Sequence, residues 1–137
     1  MANGWYGKAL ETAAETGLGW TADSILAFLQ ASEHYTPDLA ADDQLADVTA
    51  GGVVAATSDA LATKANTLGV LDALDKTFTA VADYGHYVDY VGLYNDTDAG
   101  DPLLMLWDNG TGLPVYPNGG NIAVTWGNVA GTLLAKI

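Results

Sequence analysis

Tyr87-Val88-Asp89-Tyr90-Val91-Gly92-Leu93-Tyr94, Leu103-Leu104-Met105-Leu106-Trp107 and Ile122-Ala123-Val124-Thr125-Trp126 are short runs rich in Val, Ile, Leu, Tyr and Trp. Asn95–Pro102 and Asn109–Gly120, which separate them, hold the densest Asn, Asp, Gly and Pro of the chain. Apolar runs of that length between such turn residues read as β-strands joined by tight loops. Ile122, Val124 and Trp126 alternate with Ala123 and Thr125, the period of two of a strand with one buried face. The stretch from Tyr84 to Ile137 is therefore the sheet core on which the upstream chain packs.

Upstream, Ser24–Leu29 is a continuous apolar run of strand length, which predicts a strand covered on both faces with central neighbours. Asn3 can cap a first helix, along which Trp5, Ala9, Leu10, Ala13 and Ala14 recur at three- and four-residue spacing until Gly17 stops it. Gly4 and Gly7 weaken its first turn, so residues 1–17 form this helix or an arm that orders against a neighbouring subunit. Thr36 as cap, Pro37 at the first helical position and acids in the first turn predict a second short helix near Pro37–Asp47. Its Leu39 and Leu45 face inward, and Asp38, Asp42, Asp43 and Asp47 form a solvated face. After Gly51–Gly52, Val53–Lys64 reads as one or two Ala- and Thr-rich strands, with a helix over Ser58–Lys64 as the alternative; Val70–Leu74 and Thr77–Val81 follow as strands. The expected fold is mainly β, a compact β-sandwich or flattened barrel with a short N-terminal helix and one further short helix; α+β is the alternative. At 137 residues, with no long linker, residues 1–137 form one domain.

Four Lys, no Arg and seventeen acids give a formal charge of −13, which repels phosphate backbones and anionic lipid. Neither nucleic acid nor a membrane is an expected partner. The same charge suits solubility, high salt or docking on a basic partner. Without Cys, disulfides, thiolate metal sites and a cysteine nucleophile are excluded. Met1–Gly17 lacks the basic start and long apolar stretch of a signal peptide, and no apolar run approaches the ~20 residues that span a bilayer. The expectation is a soluble chain made in the cytoplasm.

Catalytic and metal-binding patterns are weak. Asp96-Thr97-Asp98-Ala99-Gly100-Asp101 starts like a calcium loop, but Trp107 stands where an EF-hand needs its bidentate Glu, so a solvated hairpin loop is the expectation. His34 and His86 are the chain's histidines, too few for a three-histidine zinc site. Ser24, Ser32 and Ser58 lie in no Gly-x-Ser-x-Gly elbow. No enzymatic activity and no cofactor are expected. Tyr84, Tyr87, Tyr90 and Tyr94 are core or interface residues first, and a stacking platform for sugars or bases second.

In Leu113–Gly120, Pro114 and Pro117 fix the backbone and remove donors, while Asn118-Gly119-Gly120 supplies a tight turn. Such a rigid loop either docks on another subunit through Leu113, Val115 and Tyr116 or folds back over its own sheet edge. Because chains of charge −13 repel one another, subunit contacts fall to apolar and uncharged groups. Trp5 and Tyr6 of the N-terminal segment join Leu113, Val115 and Tyr116 as candidate contacts with another subunit.

Thr111-Gly112-Leu113-Pro114-Val115-Tyr116-Pro117-Asn118-Gly119-Gly120, followed by Ile122, Val124 and Trp126, resembles a family of small virion proteins of tailed bacteriophages, the head decoration or cement proteins. The likeness extends to Asn3, Lys8 and Ala9, to Leu18–Ile25, to Tyr35–Val48 and to Thr77–Val81, nearly the whole chain. It departs at Leu26, where the family often carries a basic or polar residue, and in the less charged strand before Asn95. The resemblance implies a bacteriophage capsid decoration protein on the virion surface. Its partner would be the major capsid protein, and its assembly a trimer whose closed symmetry covers apolar edges. A tail or fibre component and a carbohydrate-binding module are the alternatives.

Overall fold

The computed structural model describes residues 4–68, 70–108, 110–127 and 134–136. The expected cap Asn3 lies outside them. The fold is mainly β, with two short helices, as the turn punctuation predicted. Its centre is a five-stranded antiparallel sheet: β1 (Gly4–Trp5), β8 (Leu103–Trp107), β7 (Tyr90–Asn95), β2 (Ile25–Gln30) and β3 (Ala56–Thr57), in that spatial order. A smaller sheet joins β10 (Leu134–Lys136), β9 (Ile122–Gly127) and β6 (Lys76–Phe78), and β4 (Ala65–Thr67) pairs with β5 (Val70–Asp72) as a separate hairpin.

The apolar runs become the most buried strands. β8 is buried at every position, and β2 and β7 at all but one each. Such strands need cover on both faces, and cross-strand partners show how it is arranged. Pairing of Ala27 with Leu93, Leu29 with Val91, Leu93 with Met105 and Val91 with Trp107 puts these side chains on one face. There Trp107 meets Trp126 of β9, ring centroids 5.6 Å apart, so the smaller sheet packs on this side. Phe28, Gln30, Tyr90 and Leu106 share the other face with Gly92. Tyr90 meets the Tyr35 ring at 6.0 Å, and the Gln30 amide donates to the Val48 carbonyl, so residues 35–49 cover this side. In β9, Ile122, Val124 and Trp126 are buried and Ala123 and Thr125 exposed, as their alternation predicted.

The helices differ from expectation in register. α1 spans Gly7–Glu15 and buries Ala9, whereas Leu10 is 52 % exposed and Ala13 and Ala14 also face outward. Trp5 precedes the helix in β1, where it pairs with Met105, so pairing rather than helical spacing sets its place. The second helix, α2, spans Leu45–Thr49 and does not start at Pro37. Asp38 instead closes a single turn, its carboxylate accepting from the Ala40 and Ala41 amides. The chain then runs extended beside Pro102, with the Leu103 amide on the Asp43 carbonyl and the Leu45 amide on the Asp101 carbonyl. Only after this pairing does Gln44 cap α2, in a reciprocal box with Asp47. The four aspartates are thus not one helix face. Asp38, Asp42 and Asp47 hold local backbone amides, and Asp42 also accepts from the Tyr35 hydroxyl. Residues 58–64 form no helix, and of Val53–Lys64 only β3 is strand.

Candidate functional site

Two irregular segments, 80–88 and 113–121, are stitched together at both ends. Val88 and Val115 exchange backbone hydrogen bonds of 2.7 and 3.0 Å. The Gly119 amide donates to the Val81 carbonyl at 2.7 Å, the Val81 amide to the Gly120 carbonyl at 2.9 Å, and the Ala80 amide to the Asn121 side chain at 2.8 Å. Pro114 and Pro117 have no amide hydrogen to satisfy. Asn118 accepts from the Gly120 amide around Gly119, whose φ of 92° suits glycine. Pro117 and Val81 are buried, and Leu113 and Val115 are half-buried against the core. The loop therefore folds its aliphatic side back over its own sheet.

Its aromatic side faces outward. Tyr116 is 42 % exposed and Tyr87 53 %, and their rings meet edge to face at 5.1 Å. Local desolvation, then the neighbouring Asp83 carboxylate and Tyr87, raise the Tyr116 hydroxyl above its ordinary pKa. The result is a fixed aromatic pair with a carboxylate at its rim.

The five expected contact residues are not brought together. Leu113, Val115 and Tyr116 share this loop, but of the three only Tyr116 is exposed. Trp5 lies half-buried along β8. Tyr6 is wholly buried, its hydroxyl 2.9 Å from that of Tyr35, so it is a core residue of its own subunit and offers no outer surface. Tyr87 completes the pair. Of the four tyrosines seen in the sequence, Tyr94 is in the core and Tyr90 packs on Tyr35. Only long-range pairing of Val88 with Val115 singles out Tyr87, and no local pattern carries that.

A second cluster joins the two histidines. The His34 and His86 rings lie 4.6 Å apart, and His34 Nδ1 is 2.7 Å from the Tyr84 hydroxyl. Burial and then the charge of Glu33 raise that hydroxyl's pKa. It donates to either Gln30 Oε1, at 2.7 Å, or the Val53 carbonyl, both within reach. With one proton to give, it can accept from His34 Nδ1–H. Gln30, wholly buried, also binds the Val48 and Gly52 carbonyls and the Ala31 amide. The network is thus satisfied internally and pins residues 48–53 to β2. Among the described residues, no three His, Asp or Glu side chains are grouped to hold a metal ion.

The acidic loop 96–101 is a hairpin turn between β7 and β8. Asn95, almost wholly buried, accepts from the Thr97 and Asp98 amides and donates to the Asp23 and Asp98 carboxylates and the Leu18 carbonyl. Its side chain is the organiser of this end of the sheet. Against known protein families, characterised proteins and solved structures, the chain finds no match in any of the three comparisons.

Proposed function

We propose that this chain is a head decoration, or cement, subunit of a tailed bacteriophage, which binds the outer surface of the major capsid protein lattice as a trimer and stabilises the head. It would be made in the host cytoplasm, reside on the virion surface and act without catalysis, cofactor, nucleic acid or membrane. The observation that carries the proposal is the Pro-bounded loop. The motif most specific in the resemblance is also the segment that the fold stitches down and uses to present an exposed aromatic pair. Contact through a preformed loop keeps the ordering cost of binding low. The acidic charge agrees with docking on a basic shell rather than on nucleic acid. The same aromatic pair favours one other reading, a carbohydrate-binding module, because sugar rings stack on exposed Tyr faces.

The test is to add the purified protein to undecorated heads and locate it by electron microscopy. Density at three-fold positions of the shell is expected; density confined to the tail, or none, refutes the proposal. Tyr116→Ala is expected to weaken binding to heads by about 1–3 kcal/mol, as loss of an interfacial aromatic anchor does, while the free subunit stays folded. Occupancy equal to that of the unmodified chain would remove Tyr116 from the contact.

A further inference from the structure

We infer that the Tyr87–Tyr116 pair with Asp83 is a receptor for a cationic side chain, above all an arginine, of a different protein. The inference rests on the loop's being a contact surface, and not on the partner's being a capsid.

Three observations converge. First, the edge-to-face arrangement at 5.1 Å occupies one ring face and leaves ring surface open, since both tyrosines stay about half exposed. An open aromatic face attracts a guanidinium through its quadrupole. Second, Asp83 stands beside the Tyr116 hydroxyl. A carboxylate at the rim gives the guanidinium a charged acceptor, an arrangement that favours a cation over a neutral sugar. Third, the field of the whole chain, at −13, draws in cations and repels acidic partners.

The same charge account says what the partner is not. A second copy would bring another −13, and the chain has no arginine. Three of its four lysines are engaged at home: Lys8 pairs with Glu11 at 2.9 Å, Lys76 with Asp59 at 2.5 Å, and Lys64 donates to the Asp23 carbonyl. Charge repulsion between copies and the lack of arginine thus favour a cation from another protein. Rigidity makes so small a site effective: with Val81 and Val88 tied to Gly119, Gly120 and Val115, little freedom remains to be lost on binding.

The experiment titrates the intact protein with three blocked peptides that differ only in carrying two arginines, two lysines or two citrullines, following the tyrosine ring and backbone amide resonances by NMR. The arginine peptide is expected to shift Tyr87 and Tyr116 saturably. The lysine peptide should bind more weakly, and the neutral citrulline peptide at least about tenfold more weakly. Tyr116→Ala should abolish the shifts, Asp83→Asn should reduce them, and Tyr116→Phe, which keeps the ring, should retain most of the affinity. Equal binding of the citrulline peptide overturns the inference. So do shifts confined to residues 38–47, which would mark nonspecific charge attraction, and shifts produced by a neutral oligosaccharide in place of the arginine peptide. If the peptides fail while Tyr116→Ala still lowers occupancy on heads, the arginine receptor is wrong and the decoration proposal stands. If the arginine peptide binds while Tyr116→Ala decorates heads normally, the receptor stands and its partner lies elsewhere.

Discussion

Gly92 sits beneath the Phe28 ring in the middle of the main sheet, where an added Cβ would lie 2.2 Å from the ring's Cζ. Phe28 is wholly buried and cannot swing away without displacing Tyr94 beside it. Gly92→Ala is therefore expected to destabilise the fold by about 1–3 kcal/mol, the usual cost of overpacking, in equilibrium denaturation. A loss below about 0.5 kcal/mol would mean that the sheet yields there. Tyr6 and Tyr35 lend themselves to a test by pH. Burial raises both hydroxyls; at Tyr35 the hydrogen bonds to Tyr6 and Asp42 add to it, and at Tyr6 the bond to Tyr35 partly opposes it. A folded-state pKa above the ordinary value of 10.0 means that the native state holds these protons more tightly. Their contribution is complete below about pH 10 and is lost as pH rises beyond it. Denaturation midpoints should fall steeply above that pH, and less steeply in Tyr35→Phe, which should also lose about 0.5–1.5 kcal/mol at neutral pH with its hydrogen bond to Asp42. Parallel alkaline profiles for the two proteins would refute the assignment. Asn95→Asp places a carboxylate beside those of Asp23 and Asp98 in a buried position. It should be markedly destabilising at pH 7 and recover as pH falls towards 4, where the added carboxyl takes up a proton.

The elements show which parts of the fold were legible. β8 and β9 could be read because an unbroken apolar run and a period-two alternation are local signals of burial, and burial held. α2 starts later than the sequence predicts because Thr36-Pro37-Asp38 carries ordinary helix-start chemistry, whereas the chain at 43–45 is claimed by pairing with 101–103, a contact remote in sequence. The true start uses Gln44 as cap, a residue type that seldom marks one. For the same reason the three- and four-residue spacing predicts too wide an apolar stripe for α1, a short cover beside β8 in which Ala9 alone is buried. In the proposed contact site, Tyr116 is visible from its flanking prolines, but Tyr87 and Asp83 arrive through tertiary pairing, and the burial of Tyr6 follows from Tyr35 in another segment. Asp47 gives the element-scale test. Hydrogen bonds from the Asp43 and then the Gln44 amide hold its carboxyl below the ordinary carboxylate range. Its stabilising effect is present above a pH of about 4 and fades as pH falls below it. Asp47→Ala should cost about 0.5–2 kcal/mol at pH 7, as loss of a cap does, with the gap to the unmodified chain narrowing in acid. A gap independent of pH would place the effect elsewhere.

For the molecule as a whole, seventeen acids against four lysines in 137 residues mean self-repulsion that folding intensifies. Raising salt from about 0.05 to 0.5 M should therefore raise the melting temperature by several degrees, since the screening length shrinks below the spacing of surface charges. A melting temperature that falls with salt would show that ion pairs outweigh repulsion. The sheet's borders carry a different consequence. β1 and β3, its two outermost strands, are only two residues long, and β1 is the cover over β8, a strand apolar at every position. Gly4 and Trp5 are thus a guard: if proteolysis trims the chain past Tyr6, β8 presents an unpaired, wholly apolar margin over Leu104–Leu106, ready to template another strand. An N-terminally clipped preparation should turn turbid and bind amyloid dyes while intact protein at the same concentration stays clear, so shelf life would depend on the integrity of a few leading residues.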